Sequence, residues 1–263
     1  AYHDSEHGMS FWRTKPLQLS QRALAYLAQK PPQTPLPRHV NLLGDVTFPE
    51  ELPFGPDCFG REDENDDSIM YSRPIMLTHI DDEAVAALTK HYARTLPGTS
   101  SGSDLAHLDL CSSWVSFLPD EYKPARCVGL GMNAHELRAN KQLTETAVFD
   151  LNKGDRLELP FADGSFDVIT NVVSVDYITR PLELFAEMHR TLKPGGIAIM
   201  SFSNRMFWHK AVRIWTEASE WQRVLVCSFY FRLSAFDALE AFEVTEPNGH
   251  DPLYVVQARK PLA

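Results

Sequence analysis

Acids, small hydroxyls and one arginine stand just beyond successive apolar runs of this sequence, where an open sheet would present them to a ligand. Leu108-Asp109-Leu110 closes the first run and leads into Cys111-Ser112-Ser113-Trp114-Val115-Ser116. Asp109 either accepts hydrogen bonds from a ligand or caps its own turn, a common use of Asp. The second run ends Gly129-Leu130-Gly131-Met132-Asn133, where Asn133 also suits a helix N-cap. A third ends at Asp150-Leu151, and a fourth passes Asp167, read as structural, to reach Ser174-Val175-Asp176-Tyr177. For Asp176 and Tyr177 the competing reading is a helix cap beside a core tyrosine. The fifth ends Ser203-Asn204-Arg205, and Arg205, with Arg180 and Lys210 near in sequence, could clamp an anionic substrate or sit ion-paired at the surface. His250-Asp251 is the best His-carboxylate pair for a general base, yet neighbours in a turn rarely face one site.

Those positions need a scaffold, and the apolar pattern supplies one. Strands are expected over Leu105–Cys111, Arg126–Leu130, Thr146–Phe149, Phe166–Val172 and Gly196–Phe202, with a helix marked by Leu182, Leu184, Phe185, Met188 and Leu192 before the fifth. Such alternation implies a parallel sheet covered on both faces. Phe242–Glu246 and Leu253–Arg259 flank Pro247-Asn248-Gly249-His250-Asp251-Pro252 and read as an antiparallel hairpin. Helices are also expected from Met206 to Trp215 and from Trp221 to Phe236, the second rich in aromatics that form either core or the wall of a lid.

Residues 1–103 read as an N-terminal extension, a lid or docking segment, and residues 104–263 as the main domain. Leu17–Gln29 forms a short amphipathic helix stopped by Pro31-Pro32, and prolines recur as far as Pro56. The run Glu62-Asp63-Glu64-Asn65-Asp66-Asp67 reads as a solvated loop. Asp81-Asp82-Glu83 opens a helix that runs to about Thr95, and Pro97–Ser103 reads as a linker.

At 263 residues and 44% hydrophobic content the chain can bury a full core. A net charge of −10 opposes polyphosphate, so nucleic acid is not an expected partner. The four cysteines are far apart, two of them in strands, which suggests buried thiols in a soluble, intracellular, reducing compartment. Neither they nor the ten histidines fall at metal-ligand spacings, so no metal is expected. No apolar run approaches the roughly 18 residues of a membrane span, and no signal-peptide core opens the sequence.

Three motifs in fixed order carry a family resemblance: the strand ending in Asp109, Leu159-Pro160-Phe161-Ala162-Asp163-Gly164-Ser165-Phe166-Asp167-Val168-Ile169, and Leu192-Lys193-Pro194-Gly195-Gly196. From Asp109 to Asn204 this resembles the class I S-adenosylmethionine-dependent methyltransferases. The resemblance implies a doubly wound, Rossmann-like α/β fold, with a seven-stranded, mostly parallel sheet and an antiparallel C-terminal hairpin. It also implies S-adenosylmethionine as cofactor and methyl transfer to a small molecule. Asp109, Ser112 and Ser113 would then meet the methionine part of the cofactor, and Asp150 and Leu151 the adenine. Ser174, Asp176 and Tyr177 would surround the methyl group, where a carboxylate and a ring attract a cationic sulfonium. Asn204 and Arg205 would meet the substrate.

Two features depart from the family pattern. Serines and Trp114 replace the glycines after the first strand, and Gly131 stands where relatives carry the ribose-binding acid, a role for which Asn133 or Glu136 could substitute. The alternative reading is therefore an inactive methyltransferase-like chain, serving as a structural or assembly subunit and docking through its N-terminal extension. The whole chain also looks like methyltransferase-like proteins of cyanobacteria and plastids, in which the Ser-Ser-Trp loop recurs. That resemblance suggests a chloroplast setting.

Overall fold

The computed structural model describes residues 16–32, 40–98, 104–246 and 249–262. Its helices are α1 (Gln21–Leu27), α2 (Asp67–Met70), α3 (Asp82–Thr95), α4 (Ala134–Ala139), α5 (Pro181–Thr191), α6 (Arg213–Glu217) and α7 (Glu220–Leu233). The strands are β1 (Ala106–Leu110), β2 (Arg126–Gly131), β3 (Glu145–Val148), β4 (Phe166–Val172), β5 (Leu192–Phe202), β6 (Asp237–Glu243) and β7 (Tyr254–Arg259). They form one sheet in the order β3-β2-β1-β4-β5-β7-β6. Neighbours from β3 to β5 pair in parallel, while β7 runs antiparallel to both β5 and β6. This is the seven-stranded doubly wound sheet expected from the sequence. Strand order reverses between β1 and β4, so their carboxyl ends diverge and leave a crevice.

Local chemistry explains the helix boundaries. Asp81 caps α3 by accepting the Ala84 N–H, Asp82 and Glu83 occupy the positive first turn, and Pro97 follows the end. Pro181 opens α5, where a missing N–H costs nothing. A reciprocal capping box between Ser219 and Gln222 starts α7.

Two apolar clusters cover the sheet, one on each face. Strands β1, β2, β4 and β5 with α5 and α7 supply most of the larger cluster, and α3 packs on the other face with Leu88 and Tyr92 fully buried. From Val224 to Phe231 every residue of α7 is buried, so its aromatics are core and not the wall of a lid.

The extension shares this core. Tyr26, Phe48 and Phe54 gather on Phe229 of α7, and the Tyr26 hydroxyl donates to the Leu225 carbonyl at 2.8 Å. Further ties run from Trp221 Nε1 to the Gln29 carbonyl and from the Leu42 N–H to the Ala241 carbonyl.

Several boundaries differ from expectation. Of the helix expected from Met206 to Trp215 only α6 forms; Trp208–Lys210 make a turn and Val212 pairs with Arg61 in an isolated antiparallel bridge. Strand β6 starts at Asp237, ahead of the expected Phe242, because Asp237 and Ala238 are exposed at the sheet edge and break the apolar pattern. The polar residues 1–15, most of the Pro97–Ser103 linker and Pro247-Asn248 lie outside the described residues.

Phe229→Ala should cost about 3–5 kcal/mol in urea unfolding, in a single transition shared by core and extension. Two separate transitions would show that the extension folds on its own.

Candidate functional site

A cavity of about 970 Å3 opens at the carboxyl ends of β1 to β5. Its wall combines the loops after those strands with a strap from Asp67 to Asp81, which comprises α2 and the chain leading to α3, and with the segment Asn204–Lys210 after β5.

The loop after β1 is held by hydroxyls. Asp109 is 3% exposed, and one of its oxygens accepts from Ser112 Oγ at 2.6 Å and Ser116 Oγ at 2.7 Å, while the other accepts from Thr170 Oγ1 at 3.1 Å. Burial pushes this carboxyl up to about 6, with the three hydroxyls pulling the other way. Asn140 Nδ2 reaches the Ser113 carbonyl and Ser116 Oγ, closing the loop onto α4. The Ser112 N–H donates to the Leu130 carbonyl at 2.8 Å, which lays the loop directly against β2.

That approach explains both departures from the family pattern at once. A Cβ on Gly131 would overlap the Ser112 carbonyl oxygen, and one on Gly129 would come within 3.0 Å of Ser112 Oγ and overlap Leu143. The room that the resemblance expects glycines to make within the loop is made here on the strand beneath it. An acid at Gly131 has no space. The carboxylate nearest in chain is Glu136, buried in the first turn of α4, which accepts from Ser113 Oγ at 2.6 Å and from the Ile75 N–H of the strap at 2.7 Å.

The other expected residues divide. Ser112, Ser113, Gly131, Asp150, Leu151, Ser174, Tyr177, Asn204 and Arg205 all line the cavity together with Asp109. Asp150 accepts the Asn152 N–H, and burial raises its carboxyl, with Asp67 and Asp66 adding to the effect. Ser174 Oγ turns back to the Val172 carbonyl. The Tyr177 hydroxyl accepts the Phe207 N–H at 2.9 Å.

Asn133 and Asp176 are not among the lining residues. Asn133 caps α4, accepting from His135 and Glu136, and its Nδ2 donates to the Tyr71 carbonyl of the strap. Asp176 is 3% exposed behind the wall, and one of its oxygens lacks a hydrogen-bond partner. Burial raises its carboxyl to about 7, and Arg223 counters that shift. Arg205 lines the cavity but is already paired with Asp251 at 2.7 Å. His250 pairs with Asp81 at 3.3 Å, and neither His250 nor Asp251 is among the lining residues, so these neighbours do not form a base in the cavity.

The strap was the largest omission of the sequence reading. Trp114, in the loop where the resemblance led to an expectation of glycine, donates from Nε1 to the Leu77 carbonyl and so ties the strap to the loop. At the strap's start, the expected solvated loop is partly a buried ion cluster. Asp67 binds Arg61 at 2.9 Å and Lys210 at 3.1 Å, and accepts from Asn152 at 2.9 Å. Burial alone would raise the Asp67 carboxyl, but those donors outweigh it and hold it below the usual range. The signal was available in the acids themselves, six residues from Arg61, but the partner Lys210 is remote in sequence.

Four non-glycine residues of the wall, His79, Cys111, Phe117 and Val173, have φ between 43° and 65°. Left-handed backbone of this kind costs about 1–3 kcal/mol per residue and concentrates at ligand sites.

Residues 108–200 match the family model described as a methyltransferase domain. Over this stretch the chain is similar to methyltransferases. One similar protein is a probable phthiotriol/phenolphthiotriol dimycocerosates methyltransferase 2 of Mycobacterium ulcerans, 30% identical over 43% of this chain and 41% of its own length. Another is the fatty-acid O-methyltransferase of Mycolicibacterium smegmatis, 29% identical over 42% of this chain and 37% of its own. The chain thus spans about two fifths of the length of these relatives. In fold it resembles a chain from a complex of the Haloferax volcanii Trm112 methyltransferase activator with a methyltransferase, at TM-score 0.51 and 16% identity, over 69% of this chain and 92% of that one. No helix among the described residues is long and apolar enough to cross a membrane.

Two predictions test the loop after β1. Gly131→Ala should destabilise the protein by roughly 1–3 kcal/mol, while Gly55→Ala, with open space around its Cβ, should be close to neutral. The second concerns pH. The folded state holds the Asp109 proton up to about 6, above the ordinary carboxyl value of 3.8, so the unfolded chain releases it first and stability falls as pH rises through that window. Asp109→Asn cannot ionise and should gain on the native protein by up to about 3 kcal/mol between pH 4 and pH 7. Urea midpoints at the two pH values measure the difference; a constant offset would place the Asp109 carboxyl in water.

Proposed function

We propose that this chain binds S-adenosylmethionine over the ends of β1 to β3 and transfers its methyl group to a small molecule held over β4 and β5. The observation that carries the reading is the loop Cys111–Ser116, held rigidly against Gly131 at the point where strand order reverses. A rigid loop beside Gly131 keeps the backbone surface on which a ligand can lie without a side chain in between.

The donor set fits the cofactor. Glu136 and Asp150 place carboxylates along this half of the wall, suited to ribose hydroxyls, an adenine amino group and positive charge. Leu151 offers apolar surface beside them. When bound, the cofactor supplies an electrophilic methyl group on a positively charged sulfur.

The protein's own contribution is alignment and exclusion of water. Ser174 and Tyr177 stand at the end of β4, between the two halves of the cavity, and Asp176 supports them from behind, its burial and the Phe207 contact fixing the short turn Val175–Tyr177. The strap and the Asn204–Lys210 segment cover the site, while Asn204 and Arg205 bound its substrate side. With α1, α3 and the strap packed on this chain's own sheet and cavity, nothing specific favours an inactive subunit that docks through them. The plastid setting rests on the sequence resemblance alone.

Calorimetric titration with S-adenosylhomocysteine should give saturable, micromolar, one-to-one binding, on the order of −8 kcal/mol. Asp150→Ala should weaken it about tenfold, while Asp176→Asn should leave it within about twofold. Absence of binding at millimolar ligand would overturn the reading.

A further inference from the structure

We propose that the substrate half of the cavity takes a neutral acceptor carrying an apolar tail, and that the tail leaves the protein past Leu77 and Trp208. This deepens the methyl-transfer reading above and rests on it.

Charge decides against an ionic substrate. The lining contains three Lys or Arg side chains, Arg61, Lys210 and Arg205, and each is held by an internal carboxylate: the first two by Asp67, the third by Asp251. An entering anion would have to displace one of those partners and leave a carboxylate unpaired beside it, a costly exchange for the buried Asp67. Glu136 and Asp150 add negative charge across the cavity. The clamp expected of Arg205 is therefore already closed within the protein.

Shape and polarity supply the positive argument. Around the ends of β4 and β5 the wall is built from Ile80, Tyr177, Met206 and Phe207. Leu77 and Trp208 also line the cavity, yet they are 50% and 53% exposed, so they stand at its rim. One comes from the strap and the other from the segment after β5, and the ring contact of His79 with Phe207, at 5.6 Å, joins the two segments. Single exposed apolar residues need no explanation, but two that carry a cavity's apolar lining out to its rim do. An indole at such a rim presents a broad apolar face while its N–H edge stays in water. Next to Leu77, Met76 is 42% exposed and extends the same surface.

The strap also delivers the polar group that a neutral head requires. His79 lies in the wall with left-handed backbone, φ 65°, and burial lowers its imidazole from the ordinary value, which keeps it neutral and able to accept a hydrogen bond.

The test uses 4-octylphenol, 4-methylphenol and 4-octylbenzoate, titrated into the full chain saturated with S-adenosylhomocysteine. Octylphenol should bind one to one, about tenfold or more tighter than methylphenol. It should also bind more tightly than the benzoate. The double variant Leu77→Ser/Trp208→Ser should lose about tenfold for octylphenol and leave methylphenol and S-adenosylhomocysteine unchanged. Equal affinity for the long and short phenols, a tail effect that survives the double variant, or preference for the benzoate would each overturn the proposal. Failure of S-adenosylhomocysteine itself to bind would instead remove the methyl-transfer reading, and the proposal with it.

Discussion

The close approach of Ser112 to Gly131 is the constraint on which this site depends. A loop without glycine lies flat on the sheet only if the strand beneath has no side chain, and only if something holds the loop down. Gly129 and Gly131 meet the first condition, and Asp109 meets the second by gathering the hydroxyls of Ser112, Ser116 and Thr170. Buried carboxylates are costly unless fully hydrogen-bonded, so the serines and the acid are mutually required. Two changes that look like damage when read one at a time are a single rearrangement.

The same constraint extends outward. Ser113 Oγ donates a hydrogen bond to Glu136, Glu136 accepts the Ile75 N–H, and Trp114 Nε1 donates to the Leu77 carbonyl, so the altered loop is also the anchor of the strap. At its two ends the strap is fixed by the Asp67 cluster with Arg61 and Lys210, and by Asp81, which accepts the Asp251 N–H. The residues at the expected glycine positions thus hold the strap over the cavity.

Much of the sheet was legible in the sequence because apolar runs such as Phe166–Val172 are buried on both faces and end at plain turn signals. The ends of β1, β3, β4 and β5 likewise pointed to Asp109, Asp150, Tyr177 and Arg205, all of which reach one cavity. What could not be read were contacts between distant segments. The acids from Glu62 to Asp67 look solvated until Lys210, more than a hundred residues later, is brought to them. Tyr71, Ile75 and His79 carry no motif, and their place in the wall follows from packing of the extension on the core. Asp176 shows the converse error: its position in sequence suited a site residue, but the turn Val175–Tyr177 directs it behind the wall.

Amide hydrogen exchange with and without S-adenosylhomocysteine tests most directly whether the serine loop is a working cofactor surface coupled to the strap. The account predicts that the ligand slows exchange across 110–116, at the start of α4, and across strap residues 70–80, with little change in α7 or the β6–β7 edge. Binding that protects other segments and leaves 110–116 and 70–80 unaltered would contradict it.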